Sequence, residues 1–292
     1  MRKVFFILFV SVFFARPLFS QQDQFSFLNE SEVGKYTQPF ATSLGEGLNT
    51  GGFYTAHIPQ LFGLGISVRY MYILIPNDQM TFTPSLPSGY NASTPTATFW
   101  GDKGAIYSGP NGYITYPNGI NQTNVPFLMP QVSASLMGTE LLIRYIPQLT
   151  IGGEKLNFFG FGVRHSISQY IPLIPVDVAV QLLYNKLSVS GLIDASSFAI
   201  NGEVSKTFDP LTIYGGLQYE SSKFDLTYTL KGDPNSGDPS LRQNRNISAS
   251  VNGLDNFRVI VGASLQLAVL VLNVDYNISS QAVISGGVSF EF

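Results

Sequence analysis

Side chains that could carry out acid–base or nucleophilic chemistry are scarce in this chain. Its 292 residues include 2 histidines, His57 and His165, and no cysteine, so a zinc site built from these ligands is poorly supplied. Ser166 follows His165 directly, but neighbouring residues of a strand point to opposite faces and cannot form a nucleophile–base pair. The sequence therefore predicts no catalytic residue, no metal site and no cofactor.

Ionic contacts inside an apolar structure are a second kind of chemistry. Charged residues make up 12% of the chain, about half of the roughly 25% found in an ordinary soluble domain. The formal net charge of −3 argues against a nucleic-acid partner, which would need a basic face. Buried charges must pair with each other or contact water. We expect the following charged side chains to line a common lumen: Arg69, Arg164, Asp177, Arg258 and Asp275.

The elements that would position these side chains are alternating segments. From residue 176 to 184 every second residue is apolar, and Asp177 lies on the opposite face. A period of two residues indicates a strand with one apolar face. Segments of about ten such residues between turn residues are typical of the strands of a membrane-spanning barrel. We predict strands near 49–58, 62–75, 131–146, 154–168, 176–188, 197–208, 211–221, 223–231, 256–266, 268–278 and 282–292.

These segments predict an all-β fold, a transmembrane antiparallel β-barrel. Single-chain bacterial barrels have even strand numbers, so we expect about twelve strands, with ten to fourteen compatible with the pattern. A water-soluble β-sandwich would show the same periodicity. The apolar faces end in Tyr and Phe, as expected of aromatic girdles at a membrane boundary, and this favours the barrel.

The N-terminal part of the chain has a different pattern. Arg2 and Lys3 precede an apolar run that ends at Ala15, which is too short to span a bilayer but typical of an export signal. We therefore predict a signal peptide at 1–20, cleaved from the mature chain. Residues 21–48 break the alternation and place apolar residues four apart, which predicts a helical leader or plug. A frayed periplasmic leader is the alternative, and the barrel would then occupy 49–292.

The largest insert between predicted strands spans residues 76–130 and is rich in Thr, Ser, Pro, Asn and Gly. An insert of this length is usually functional or disordered. We predict a long extracellular loop whose aromatic residues contact a partner, or alternatively form an apolar core beneath the loop. The candidate contacts are Trp100, Tyr107, Tyr113 and Tyr116.

The last predicted strand ends on alternating apolar residues, with Phe290 and Phe292 at its end. This ending resembles the insertion signal of bacterial outer-membrane barrels. The resemblance implies that the chain resides in the bacterial outer membrane, with membrane lipid and the barrel-insertion machinery as partners.

Two longer stretches carry a family resemblance. They are 44–56 (LGEGLNTGGFYTA), which leads into the first barrel segment, and 158–177, which contains FFGFGVRHSI and YIPLIPVD. With these stretches the chain resembles an uncharacterised family of outer-membrane β-barrels and is more distantly similar to the long-chain fatty-acid transporter family. The first resemblance implies no known activity. The second implies an N-terminal hatch and an apolar pocket for a hydrophobic small molecule.

Two functions follow as hypotheses. The first is a passive outer-membrane channel for hydrophobic or amphipathic small molecules, which requires an open or gated lumen. The second is a structural or docking barrel that binds an envelope or extracellular partner through its long loops.

Overall fold

The computed structural model describes residues 30–91, 94–110, 112–151, 154–190, 192–230 and 243–292. The predicted signal peptide at 1–20 lies outside the described residues. Helix α1 spans Glu30–Asn49, and short 3-10 helices span Asn77–Gln79 and Ser168–Tyr170. The strands are β1 (Gly63–Leu74), β2 (Thr81–Phe82), β3 (Thr96–Ala97), β4 (Ile106–Gly109), β5 (Gly112–Thr115), β6 (Asn124–Leu136), β7 (Thr139–Ile151), β8 (Glu154–Ser166), β9 (Asp177–Val189), β10 (Ile193–Phe208), β11 (Leu211–Leu230), β12 (Arg245–Asn252), β13 (Phe257–Leu267), β14 (Leu270–Ile278) and β15 (Val283–Glu291).

The long strands form one closed antiparallel sheet. From β6 to β11 each strand pairs with the next, β13 to β15 continue the order, and β1 closes the ring between β15 and β6. Strands β12 and β13 both pair with β11, at 223–230 and 211–219 respectively, and together occupy one position in the wall. The wall is therefore a closed barrel of 10 strands. The predicted all-β barrel with an N-terminal helix is confirmed.

The strand number lies at the lower end of the predicted range, and the favoured count of twelve is wrong. The predicted strand 131–146 is a hairpin, because Met137 and Gly138 adopt positive φ angles of 52° and 69° and form a two-residue turn. The predicted strands 211–221 and 223–231 are the single strand β11. The predicted strand 49–58 pairs with no strand. Strand β12, in contrast, was not predicted.

The outer face of the wall is apolar. Residues of β8, β9 and β14 alternate between buried and exposed positions, and most of the exposed ones are Val, Leu, Ile, Phe or Tyr. Within the described residues, no helix has the length and apolar character needed to cross a membrane. Exposed aromatic side chains follow one edge of this apolar belt: Tyr70, Tyr145, Phe159, Tyr184, Phe198, Tyr219, Phe257 and Tyr276.

The two ends of the barrel differ. At the end that we call the loop end, the chain leaves β1 at Leu74 and returns at Asn124 after an insert at 75–123, which we call the cap. The predicted loop 76–130 was too long, because residues 124–130 belong to β6. At the opposite end, the turn end, β6 joins β7 and β10 joins β11 through two-residue turns.

Helix α1 lies inside the barrel. Near its start, the Tyr36 carbonyl accepts a 3.0 Å hydrogen bond from the Phe99 backbone of the cap. The helix ends at Asn49, just before Gly51, whose φ of 73° is a left-handed conformation that suits glycine. The chain then continues to the turn end, where Ala56 N–H donates to Ser205 near the end of β10. Residues 30–58, which we call the plug, therefore cross the lumen from the loop end to the turn end.

Candidate functional site: the plugged lumen

Side chains of the wall bind the carbonyl oxygens where α1 ends. Arg144 of β7 donates hydrogen bonds to the carbonyls of Leu48 (2.8 Å) and Thr50 (3.0 Å). Asn185 of β9 donates to the same Leu48 carbonyl at 2.9 Å. A helix C-terminus carries unsatisfied carbonyls and partial negative charge. The Arg144 guanidinium both donates hydrogen bonds to these carbonyls and places a positive charge at the negative end of the helix.

The extended part of the plug is bound in the same way. Ser264 of β13 donates to the Tyr54 carbonyl at 3.0 Å, and Ser205 of β10 accepts the Ala56 N–H at 2.9 Å. Buried backbone groups must find partners. Here they bond to wall side chains instead of joining the sheet, so the plug adds no strand to the barrel.

Arg258 anchors the plug from β13. Its guanidinium lies 2.5 Å from the Glu46 carboxylate of α1 and 2.9 Å from the Glu220 carboxylate of β11. It also donates to the Thr50 hydroxyl. All three charged side chains are almost fully buried, so this ion group joins the helix to two wall strands without solvent between them.

A second ion group lies nearer the turn end. Arg164 of β8 contacts Glu140 at 2.9 Å and Glu203 at 3.0 Å, and it donates to the Thr55 carbonyl of the plug. Three strands, β7, β8 and β10, and the plug therefore meet at one guanidinium.

Arg69 differs from the other guanidiniums. It donates to the side-chain oxygen of Asn273, and its charged carbon lies 4.3 Å from the centre of the Tyr54 ring of the plug. A cation over an aromatic face is an attractive contact. Arg69 thus also joins the wall to the plug.

The structure places four of the five predicted lumen residues, Arg69, Arg164, Arg258 and Asp275, in the buried interior. Asp275 accepts hydrogen bonds inside the wall and does not touch the plug in the described contacts. The fifth, Asp177, lies at the rim of the turn end.

Sequence reasoning missed Arg144 and Glu46. Arg144 was hidden because 131–146 was read as one strand, although Leu141, Ile143 and Tyr145 alternate with it in the same way as in the recognised strands. Glu46 gave no signal, since its role depends on meeting Arg258, 212 residues away in sequence.

The lumen is open at the turn end. A cavity of about 480 Å³ is lined there by polar and charged side chains, including Tyr54, Glu140, Arg164 and Glu291. At its rim His57 Nδ1 lies 3.4 Å from Asp177, with 62% and 33% of the two side chains exposed. We call the lumen from the Arg258 group to this rim the polar chamber.

Apolar side chains line the lumen at the loop end. We call this half the apolar chamber; α1 fills it with Val33, Phe40 and Leu48. The ring of Phe40 lies 4.7 Å from Phe99 and 5.5 Å from Phe224, centre to centre. The wall contributes Met71, Ile73, Val125, Phe127, Met129, Phe158, Leu187, Val189, Phe224 and Val283.

The predicted loop contacts lie mostly inside the cap. Trp100, Tyr107 and Tyr116 are buried, whereas Tyr113 is 78% exposed. Tyr116 donates a 2.8 Å hydrogen bond to Glu32 of α1, and burial raises the pKa of its hydroxyl, which stays a neutral donor. Three of the four aromatics thus form a core between cap and plug. The structure leaves only Tyr113 available at the surface for the predicted partner contact.

The histidine and serine considered for catalysis are separated by the wall, as the strand geometry predicts. The His165 ring bonds to Thr139 (2.8 Å) and Tyr170 (2.9 Å), while the Ser166 hydroxyl lies 3.2 Å from that of Ser168. Among the described residues, no group of three or more His, Asp or Glu is arranged to hold a metal ion.

Comparison with known proteins identifies the family. Residues 1–292 match the family of unknown function DUF6588. The chain belongs to this family. No curated protein matches the sequence. The resemblance to an uncharacterised family is thereby confirmed, whereas the similarity to fatty-acid transporters is not shown and stays a prediction.

Solved structures give a general likeness. The transport unit of the autotransporter AIDA-I from Escherichia coli is 8% identical, with a TM-score of 0.32, over 89% of this chain and 98% of that one. The attachment protein Ail of Yersinia pestis is 8% identical, with a TM-score of 0.26, over 80% and 99%. The toluene transporter TbuX of Ralstonia pickettii is 6% identical, with a TM-score of 0.23, over 81% and 90%. At these scores the likeness assigns no function to this chain.

Proposed function

We propose that this chain is a bacterial outer-membrane barrel that acts as a passive channel for hydrophobic or amphipathic small molecules, closed by its plug in the conformation described here. The apolar belt and its aromatic edge support the location, since they are the outer features of membrane barrels. Short turns face the periplasm in such barrels and long loops face outward. The turn end would then be periplasmic and the cap extracellular.

The observation that carries the channel is the apolar chamber. A purely structural barrel could fill its interior with paired charges throughout, but apolar side chains form most of the lining in the loop-end half of this lumen. An apolar lumen offers a hydrophobic solute a favourable place once the helix moves, because burial of apolar surface is the main driving force for such binding.

The plug is the proposed gate. Side-chain hydrogen bonds, ion pairs and apolar packing hold it against the wall, and it takes part in no strand pairing. Each neutral bond of this kind contributes about 1 kcal/mol, and contacts to charged groups contribute about 2. A gate held in this way can move while the barrel remains intact.

A second candidate function is a docking barrel, which a feature of the cap favours. The hairpin of β4 and β5 exposes Ile106 and Tyr113 to solvent on the same face, as diagonal neighbours. Exposed apolar and aromatic groups of this kind are common in binding surfaces. This function needs no movement of the plug.

A reversible lock on the plug distinguishes the two functions. The Thr55 hydroxyl of the plug lies 3.2 Å from that of Ser205 in the wall, so T55C/S205C places two sulfurs within bonding reach. The natural chain has no cysteine and forms no competing disulfide. The mature chain, residues 21–292, is placed in vesicles, and uptake of a fluorescent long-chain fatty acid is measured. We expect oxidation to abolish uptake and dithiothreitol to restore it.

The matched control is T207C/T212C, which joins two wall strands whose hydroxyls lie 2.9 Å apart at the same end. Its uptake should be the same when oxidised and reduced. Heat-modifiable gel migration confirms that each variant is folded. Equal uptake by oxidised and reduced T55C/S205C contradicts a moving plug. A folded barrel without uptake in either state contradicts the channel and leaves docking.

A further inference from the structure

One part of the polar chamber wall has no side chains on its inner face. Gly63 and Gly65 of β1 face the lumen, since Leu64 between them is exposed on the outer face. A Cβ at Gly65 would lie 2.6 Å from the Ser133 hydroxyl of β6. A Cβ at Gly63 would lie 2.7 Å from the Ser135 hydroxyl of the same strand. The two glycines, which we call the glycine floor, therefore leave the space into which these serines extend.

A carboxylate stands on each side of the glycine floor. Glu291 of β15 pairs with Gly65, and Glu140 of β7 pairs with Ser135. The two glutamates are three strand spacings apart, about 14 Å along the wall, and both line the chamber. The wall thus presents hydroxyl groups between two negative charges.

Hydroxyl groups are the commonest polar groups of the described chamber lining. Seven lining residues carry one: Tyr54 and Thr55 belong to the plug, and the other five belong to β6, β10, β11 and β13. Ser135 is 6% exposed, and its hydroxyl has no hydrogen-bond partner in the described contacts. Because a hydroxyl both donates and accepts, a buried one without a partner favours a ligand that also does both.

The charge of the lining selects the sign of the ligand. Among the described lining residues, three carboxylates accompany a single guanidinium, that of Arg164. Arg164 is already paired with Glu140 and, behind the lining, with Glu203. One oxygen of Glu291 accepts a hydrogen bond from the Tyr54 hydroxyl, and its other oxygen has no partner in the described contacts. The excess negative charge repels an anion and attracts a cation.

The size and position of the chamber suit a small solute. Its volume of about 480 Å³ falls within the roughly 300–1,000 Å³ of small-molecule sites. It opens at the turn end, so a solute reaches it without any movement of the plug. Val271 of β14 adds a buried apolar surface to the lining, against which the carbon-bound hydrogens of a sugar ring can pack.

We propose that the polar chamber is a binding site for an amino sugar, a polyhydroxylated ring that carries an ammonium group. The ammonium group has three donors and no acceptor, and it binds at Glu291, whose carboxylate contacts no cation in the described structure. The ring hydroxyls bind at Ser133 and Ser135 over the glycine floor. This site goes beyond the channel function, because it takes a polar ligand and lies outside the apolar chamber.

Three sugars that differ in charge test the site. Glucosamine, glucose and glucuronate share a ring and most hydroxyls, and in slightly acidic buffer they are cationic, neutral and anionic. Their dissociation constants are measured by saturation-transfer NMR on the folded barrel in detergent micelles. We expect glucosamine to bind about tenfold more tightly than glucose, because hydrogen bonds to a charged group are the stronger ones. Equal binding of these two sugars, or tightest binding of glucuronate, overturns the proposal.

Two variants separate the charge from the hydroxyls. Glu291→Gln removes the charge but keeps an acceptor for Tyr54, so the preference for glucosamine over glucose should disappear while glucose binding stays nearly the same. Ser135→Ala should weaken both sugars by about fivefold, the equivalent of one neutral hydrogen bond, and leave the preference intact. An unchanged preference in Glu291→Gln overturns the ammonium site, and unchanged affinities in Ser135→Ala overturn the contact over the glycine floor.

The matched control is Asp194→Asn, which makes the same change of charge on an exposed residue at the loop end of β10. It should bind all three sugars as the unaltered chain does. Heat-modifiable gel migration confirms that each variant is folded. A trisaccharide of glucosamine distinguishes two sources of the ligand: tighter binding than that of glucosamine assigns the site to a glycan chain, and equal or weaker binding assigns it to a free sugar.

Sugar binding and fatty-acid uptake are separate measurements. If oxidation of T55C/S205C abolishes uptake while no sugar binds to the unaltered chain, the channel stands and the sugar site fails. If uptake is absent throughout but glucosamine binds through Glu291, the channel fails and the sugar site stands.

Discussion

The two halves of the lumen hold the same plug by different physical means. In the polar chamber, Arg258 and Arg144 bind it at fixed atoms over distances of 2.5–3.0 Å, and Arg164 donates to its Thr55 carbonyl. In the apolar chamber, rings such as Phe40 and Phe99 pack at 4.7 Å without a preferred bond. Directional contacts fix where the plug stops, whereas apolar packing excludes water and adapts to whichever apolar group fills the space.

This difference assigns separate roles to the halves. Loss of a polar contact leaves a buried charge without its partner, and no apolar ligand can replace it. Loss of an apolar contact leaves a cavity that an apolar ligand can fill. The following variants test whether the two halves respond in these opposite ways.

The largest effect is expected for Arg258→Met. The substitution leaves the buried carboxylates of Glu46 and Glu220 facing each other, and removal of one partner from a buried ion group typically costs about 3–5 kcal/mol. We expect a loss of this size in the free energy of unfolding in urea, together with fatty-acid uptake faster than that of the unaltered chain.

The matched control is Glu46→Gln, Glu220→Gln and Arg258→Met combined. It removes the ion group without leaving a charge behind, and its stability should return most of the way to that of the natural chain. If the triple variant is as unstable as the single one, packing rather than charge explains the loss.

A smaller effect is expected for Phe40→Ala in the apolar chamber. Truncation of a buried Phe typically costs about 3 kcal/mol, because the cavity collapses only in part. Unlike the Arg258 variant, this one should regain stability when benzene is added, because the new cavity is lined by Phe99, Trp100 and Phe224. Equal rescue of both variants by benzene would remove the distinction between the chambers.

The sequence predicted the strands of the barrel wall better than the contacts between the wall and the plug. Alternation assigned Arg69, Arg164 and Arg258 to the inner face, because a strand's side-chain period does not depend on what lies opposite. It failed at the turn of Met137 and Gly138, where one predicted strand covers parts of β6 and β7, and this error hid Arg144.

The local sequence pattern could not predict which residues the inward-facing side chains contact. Arg144 bonds to the Leu48 carbonyl 96 residues earlier, and nothing near either residue indicates the other. The segment 49–58 has the composition of a strand, but its backbone meets side chains of the wall instead of a neighbouring strand.

Tyr116→Phe tests how firmly the cap holds the loop end of the plug. It removes one hydrogen bond to Glu32 and keeps the buried ring. A hydrogen bond to a carboxylate contributes about 1.5 kcal/mol or slightly more. We expect a loss of about this size by urea unfolding and no change in uptake, since the Arg258 and Arg144 contacts remain. Faster uptake in this variant would show that the cap, and not the polar chamber, sets the position of the plug.

The smallest effect is expected at the rim of the polar chamber, for Asp177→Asn. Its contact with His57 is 3.4 Å long and largely exposed, and exposed pairs of this kind contribute less than about 0.5 kcal/mol because water and salt screen them. Stability in urea should therefore be unchanged within error at both low and high salt. A loss comparable to that of Arg258→Met would mean that the rim also holds the plug, and that the polar chamber acts along its whole length instead of at the buried guanidiniums alone.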